Sequence, residues 1–365
     1  MKYEGSKISA DWREDEGTSL RWMEFPREVL IGKNVLDRIP DVLSKLKINE
    51  KVLLVTGKKT VDVAGKQILE KIEGNGHVCE IYISEKASHE EVEKITEYGK
   101  SIQADCMLGV GSGRSIDLAK LSSFHCDIPF LSIPTAASHD GIVSSRASIH
   151  SDGKSESVDA HAPIAVIADT EIISKAPFRL LAAGCGDVIS NYTSVLDWEL
   201  ASRHQNEPFS KSAATMAYMS ADMITNSATL IRPGLDSSAR ITVKALVLSG
   251  SAMSIAGSSR PASGSEHMFS HALDKIAKKP ALHGEQCAVG SIIMMYLYGG
   301  DWERIRNALI QIGAPTSAAE MGIEDEEIIE ALVQAHKIRP ERYTILGGGL
   351  TRQAAEKMAA VTKVI

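Results

Sequence analysis

The sequence predicts an α/β protein: an N-terminal, Rossmann-like parallel-sheet domain followed by an all-α C-terminal domain. Three observations predict this. Short apolar runs alternate with amphipathic stretches between residues 51 and 133. After Asp169 the apolar residues adopt long, helical spacing instead. At 365 residues the chain exceeds the usual size of a single core. Continuous apolar runs bounded by turn residues read as strands covered on both faces, and strand–helix alternation reads as a parallel sheet.

Taken in order, Lys51-Val-Leu-Leu-Val-Thr-Gly57 is a buried strand, and Val61 to Ile72 has helical spacing. His77 to Ile83 is the next strand and His89 to Ile102 a charged helix. Asp105 to Gly109 is a strand, followed by a glycine-rich turn and a helix from Arg114 to Ser123. Pro129 to Ile133 is another strand. Ser144 to His150 and the residues from Glu156 onward read as a small hairpin over a Ser151-Asp-Gly-Lys154 turn, and Ala162 to Ala168 as one more strand. Helices are expected over 182–201, 210–227, 239–255, 265–277, 287–298 and 301–313. The expected organisation is a tail over 1–24, an α/β domain over 25–174 and a helical domain over 175–365.

The bulk properties exclude several classes. Net charge is −7 and no block of lysine or arginine occurs, which argues against a nucleic-acid partner. A local positive pocket on such a surface still accommodates an anionic substrate. No apolar run reaches the roughly 20 residues of a membrane-spanning helix. The first residues are polar and lack the apolar core of a secretory signal, so a cytoplasmic location is expected. Cys79, Cys106, Cys126, Cys185 and Cys287 are dispersed, and the expectation is buried free thiols.

Two loops and one cluster carry chemistry. Gly109-Val-Gly-Ser-Gly-Arg-Ser-Ile-Asp117 lies between a strand and a helix. Glycines there let a pyrophosphate approach the backbone, and a helix N-terminus offers N–H groups and a favourable dipole. Because this is not the first strand–helix turn, it differs from a standard GxGxxG fingerprint. Ile133-Pro-Thr-Ala-Ala-Ser-His-Asp140 is a second loop, whose small and hydroxyl residues leave room for a cofactor. Further on, Asp187 opens a helical stretch, His267 and His271 lie four residues apart, and His283 follows after twelve more. The histidine pair shares one helix face. One carboxylate with two or three histidines suits a divalent metal with an open position; spacing alone does not say which histidines are ligands.

Gly109 to Lys120 resembles the GGGSxxDxAK loop of the superfamily that joins iron-dependent alcohol dehydrogenases, glycerol dehydrogenases and dehydroquinate synthases. Pro134-Thr-Ala-Ala-Ser-His-Asp140-Gly141 resembles more specifically the PTAxSxDG segment of the glycerol-1-phosphate dehydrogenase family. Gly184-Cys-Gly-Asp187, Gly264-Ser-Glu-His267-Met-Phe-Ser-His271 and Leu282-His283-Gly-Glu285 match in order and spacing, so the resemblance covers residue 25 to near the C-terminus. Val110 departs from the glycine many relatives carry, and the first twenty or so residues have no counterpart.

The resemblance implies a dehydroquinate synthase-like fold and reduction of dihydroxyacetone phosphate to sn-glycerol 1-phosphate, the backbone precursor of archaeal membrane lipids. It implies NAD(P)H and one Zn2+, with Ni2+ or Fe2+ as alternatives. Asp187, His267 and His283 would hold the metal. Asp140, Asp187 and His271 would contact substrate, with His271 as orienter or proton relay. Gly113, Arg114, Ser115, Ile116 and Asp117 would bind the pyrophosphate. Thr135, Ala136, Ala137, Ser138 and Ser144 would line the nicotinamide side. A homo-oligomer is implied as well. The strand Val52 to Val55 ends in Thr56-Gly57-Lys58-Lys59 with no carboxylate, so NADPH is expected to be accepted as well as NADH. Arg260, Ser263, Ser265, Lys278 and Lys279 are candidates for a phosphate cradle. The rival functions are an unphosphorylated glycerol dehydrogenase, a dehydroquinate synthase, and a non-catalytic nucleotide-binding member.

Overall fold

A computed structural model describes residues 23–48, 51–151 and 154–365. The expected tail lies outside them except for Met23 and Glu24, as does the Asp152-Gly153 tip of the hairpin. The chain divides into two compact units. The first runs to Thr135 and adds Gly141–Ser151 and Glu156–Asp169. The second contains Thr170–Ile365 together with Ala136–Asp140.

In the first unit, β1 (Glu28–Gly32), α1 (Ile39–Lys45), β2 (Lys51–Gly57), α2 (Lys66–Glu73), β3 (Val78–Ser84), α3 (His89–Ser101), β4 (Cys106–Gly111), α4 (Gly113–Cys126) and β5 (Phe130–Pro134) follow in order. The hairpin strands β6 (Arg146–Ser151) and β7 (Lys154–Asp159) and then β8 (Ala165–Asp169) complete it. Six strands form one parallel sheet in the order β1-β8-β5-β4-β2-β3, and β6 and β7 pair separately. Every residue of β4, β5 and β8 is buried, as a strand covered on both faces requires. β3 lies at the edge and leaves Val78 and Ile83 exposed. β1, at the other edge, is an element the apolar pattern does not announce.

The sheet order fixes where a ligand goes. The chain leaves β2 for β3 on one side, then returns to β4 on the other. This reversal is a topological switch point, and ligands of such sheets bind beyond the carboxyl ends of the two strands beside it. The glycine-rich loop follows β4 at that position. Gly111 has φ +151°, and a Cβ there would meet Ser115 Oγ at 3.0 Å and Thr60 Oγ1 at 3.2 Å, so only glycine is accommodated. Behind the loop, the fully buried Lys120 donates to Asp117 Oδ1 (3.2 Å), Gly141 O (2.6 Å) and Arg146 O (2.5 Å). It ties α4 to the segment after β5 and to β6, with its charge met by a carboxylate.

The second unit is helical: α5 (Thr170–Lys175), α6 (Phe178–Ile189), α7 (Asn191–Gln205), α8 (Lys211–Asn226), α9 (Asp236–Ala256), α10 (Ser265–Ile276), α11 (His283–Leu297), α12 (Trp302–Ile312), α13 (Ala318–Met321), α14 (Asp325–Gln334) and α15 (Arg352–Val361). The single helix expected over 182–201 is two. Ser190 Oγ donates back to Asp187 O (2.6 Å), while Thr193 Oγ1 (2.9 Å) and Ser194 Oγ (3.3 Å) donate to Ser190 O. Hydroxyl back-bonding of this kind bends helices. Among the described helices, only α9 is long and apolar enough to cross a membrane, and 56% of its apolar window is buried in the fold.

Candidate active site

Three helices of the second unit bring the candidate metal-ligating side chains together. Asp187 is on α6, His267 and His271 on α10, and His283 on α11. Close approach of α6 and α11 depends on glycine. A Cβ on Gly186 would lie 2.5 Å from Gly284 O, and one on Gly284 would overlap Ala183 O. Asp187 Oδ1 consequently lies 3.6 Å from His283 Nε2 and 3.8 Å from His267 Nε2. Cys287, one turn beyond His283, joins the group: its Sγ is 3.5 Å from His283 Nε2, and the four donor atoms all lie within 4.8 Å of one another.

The imidazoles are oriented from behind. His267 Nδ1 lies 2.9 Å from Glu266 Oε1, and His283 Nδ1 lies 3.1 Å from Ser270 Oγ. A carboxylate only accepts, so His267 carries its proton on Nδ1 and turns the Nε2 lone pair toward Asp187. Burial, then the neighbouring His271, holds His267 well below the ordinary histidine range, and burial and the adjacent imidazoles do the same to His283. Neutral imidazoles are what a metal needs. Asp187 is pushed well up by burial and by the Asp140 carboxylate, with Glu266 adding to it. Buried carboxylates facing neutral histidines and a thiol are a donor set that a dication completes. Asp187, His267 and Cys287 are largely enclosed, whereas 36% of the His283 side chain is open, so access to the centre is along that edge.

Around this centre, Asp140 N donates to Asp187 Oδ2 (2.9 Å) and Ser249 Oγ donates to Asp140 Oδ2 (2.9 Å). His271 Nδ1 lies 3.5 Å from Asp274 Oδ2, and Gln286 Nε2 donates to Asp274 Oδ1 (3.0 Å). Its ring centroid is 5.7 Å from that of His283.

In the α/β unit, α4 begins at the switch point with Ser112 making no side-chain capping bond, which leaves its first-turn amides to an anion. At the ends of β2 and β3, Lys58 Nζ pairs with Glu85 Oε1 (2.7 Å), and Arg114 donates to Glu85 O (3.1 Å). Thr135 N donates to Gly111 O (2.8 Å).

The chain has known relatives. Residues 30–177 match the family described as iron-containing alcohol dehydrogenase. The glycerol-1-phosphate dehydrogenase (NAD(P)+) of Methanosarcina mazei is 61% identical over 347 residues, covering 95% of this chain and 98% of that protein. The protein of the same name from Thermococcus sibiricus is 55% identical, covering 94% and 98%. The chain belongs to the glycerol-1-phosphate dehydrogenase family. Among solved structures, glycerol dehydrogenase from Schizosaccharomyces pombe superposes with a TM-score of 0.78 at 19% identity, covering 94% of this chain and 91% of that one. A probable glycerol dehydrogenase from Sinorhizobium meliloti 1021 gives 0.76 at 20%, covering 95% and 100%. At that identity the likeness is one of fold.

Within this family frame, the site residues read from the sequence fall as follows. Asp187, His267 and His283 converge, and His271 stands beside them. Gly113, Arg114 and Ser115 form the first turn of α4. Ile116 is in the core, and Asp117 is engaged by Lys120 and by Ser148 N (3.2 Å). Ala136 and Ala137 are buried, with Ala137 O against Gly184, and Ser138 is half-buried. Ser144 is buried and its Oγ faces Arg146 N.

Cys287 is a buried free thiol as expected, but its place beside the His283 imidazole, like that of Glu266 behind His267, was not read from the sequence. A His283-x3-Cys287 spacing on one helix was the available signal for the first. Of the candidates for a phosphate cradle, Arg260 binds the Glu207 carboxylate and Tyr343 O and Ser265 binds Asp197, whereas Ser263 is buried and Lys278 and Lys279 are exposed.

Proposed function

We propose that the chain reduces dihydroxyacetone phosphate to sn-glycerol 1-phosphate with NADH or NADPH, supplying the glycerophosphate backbone of archaeal membrane lipids. What carries this reading is the convergence of Asp187, His267 and His283 in a chain whose full-length relatives bear that activity in their names. A divalent metal, zinc before nickel or iron, supplies Lewis acidity to a ketone oxygen, and the nicotinamide supplies the hydride. Asp187, His267 and His283 would hold the metal. Asp140, fixed by Ser249, and His271, fixed by Asp274, contact the substrate. His271 delivers or relays the proton to the product oxygen. Amides of Gly113, Arg114 and Ser115 bind the pyrophosphate, with Ile116 and Asp117 fixing the turn behind them. Thr135 to Ser138 and Ser144 line the nicotinamide.

Arg339 and Arg342 join the candidates for holding the substrate phosphate. Both lie within electrostatic reach of His267 and lower its proton affinity. Arg342 is anchored on Ser263 O (2.8 Å) and Ser259 Oγ (3.1 Å), just ahead of α10. Planar guanidinium groups suit a phosphate dianion. The enzyme is read as a cytoplasmic homo-oligomer, with the exposed Tyr218, Met219 and Leu230 among the side chains a subunit contact would shelter; a solution mass measurement checks this.

The test is a reductase assay comparing dihydroxyacetone phosphate with dihydroxyacetone, followed by stereochemical analysis of the product. The expected result is a kcat/KM at least about a hundredfold higher for the phosphate, roughly 2.7 kcal/mol. Equal use of both substrates would favour the glycerol dehydrogenase reading instead.

A further inference from the structure

We propose that Cys287 is a fourth, exchangeable ligand of the metal, closing the coordination shell when no substrate is bound. The inference rests on the metal centre of the function proposed above but not on its substrate.

Three observations carry it. Cys287 follows His283 by one helical turn, so both project from the same face of α11. Its Sγ lies 3.5 Å from His283 Nε2, and the four donor atoms fall within 4.8 Å of one another. A tetrahedral shell with bonds of about 2.0–2.3 Å has donor–donor edges of about 3.3–3.7 Å. The separations of 3.5 Å (Cys287–His283), 3.6 Å (Asp187–His283) and 3.8 Å (Asp187–His267) are near that size, and the remaining ones stay within 4.8 Å, which closing around an ion would shorten.

The chemistry agrees with the geometry. One carboxylate, one thiolate and two neutral imidazoles carry two negative charges, which balance a dication in a buried site. Loading the metal forms the metal–sulfur bond and releases the thiol proton to solvent. A sulfur donor favours zinc over a harder ion. A shell closed by protein is typical of structural zinc, whereas catalysis needs an open position. Substrate entry therefore competes with Cys287 for that position. The sulfur thus guards the metal between turnovers and limits its loss.

The full chain stripped of metal and reloaded with Co(II) tests this by its near-ultraviolet absorption. The wild type should bind one cobalt and display a thiolate-to-cobalt charge-transfer band. Cys287→Ser and Cys287→Ala should still take up cobalt through Asp187, His267 and His283, but without that band. Both variants should also lose zinc to a chelator about tenfold faster or more. Adding dihydroxyacetone phosphate to the wild type should weaken the band. Cobalt uptake with no sulfur band in the wild type, or a band that persists in both variants, would overturn the proposal. Failure of the wild type to bind cobalt at all would overturn it together with the metal centre itself.

Discussion

Glu266→Gln separates the charge behind His267 from the shape around it. Glu266 is fully buried and accepts from Ser194 Oγ (2.6 Å), Gly264 N (2.6 Å) and Thr193 Oγ1 (2.8 Å), with His267 Nδ1 at 2.9 Å. Three of these contacts fall on Oε1, which the glutamine carbonyl reproduces. Only Thr193 faces the other oxygen, and a hydroxyl can reverse to accept from the new NH2 group. The change therefore removes charge and little else, whereas Glu266→Ala would orphan several buried donors at about 1–3 kcal/mol each. Without the carboxylate, His267 is a poorer donor. Loss of such an outer partner costs about 10–100-fold in metal affinity, or about 1.4–2.7 kcal/mol. The metal-free protein should respond oppositely. Burial raises the Glu266 carboxyl above its ordinary range, so its charge costs stability near neutral pH and glutamine removes that cost. Competition with a chromophoric chelator gives the zinc affinity, and thermal unfolding with zinc or with EDTA gives both stabilities. A zinc Kd within about threefold of wild type would refute the claim that Glu266 supports His267 as an outer partner, provided Asp187→Asn abolishes binding in the same assay.

Three further outcomes are expected. Lys58→Glu should lower kcat/KM for NADPH relative to NADH by roughly tenfold, and Glu85→Gln should move the ratio the other way, as measured by steady-state kinetics with each cofactor. Gly111→Ala forces a side chain into a positive-φ position against Ser115 and Thr60; it should cost about 1–3 kcal/mol of stability and raise the cofactor KM, and an unchanged KM would argue against the loop as the pyrophosphate site. The Asp197 carboxyl is pushed up to about 6 by burial, with Glu266 adding to the shift, against donation from Ser265, Ile345 and Tyr298. Because the folded state holds this proton to higher pH than the unfolded one, wild type should lose stability relative to Asp197→Asn as pH rises from about 4 to 6, a difference urea titrations across that range would detect.

What the sequence discloses depends on whether a residue's environment is local. The central strands are legible because burial on both faces demands unbroken apolar runs such as Val52-Leu-Leu-Val55. β1 is not, because an edge strand paired only with β8 needs no such run. The break at Ser190 comes from hydroxyls that return to their own backbone, a choice made against packing rather than written in periodicity. His267 and His271 stand out because His-x3-His is a helix-face pattern, and family resemblance then divides their roles. Glu266 and Cys287 are as near in sequence to these ligands, yet carry no such mark. A glutamate beside a histidine is ordinary, and becomes an orienting carboxylate only when Thr193 and Ser194 of another helix hold it buried. A cysteine in an apolar helix is ordinary too. It becomes a donor only because Gly186 and Gly284 let α6 close on α11 and bring Asp187 to it. Here the two glycines decide more than either ligand does. Gly186→Ala would leave every donor atom in the sequence, move the helices that carry them apart, and abolish the centre by geometry alone.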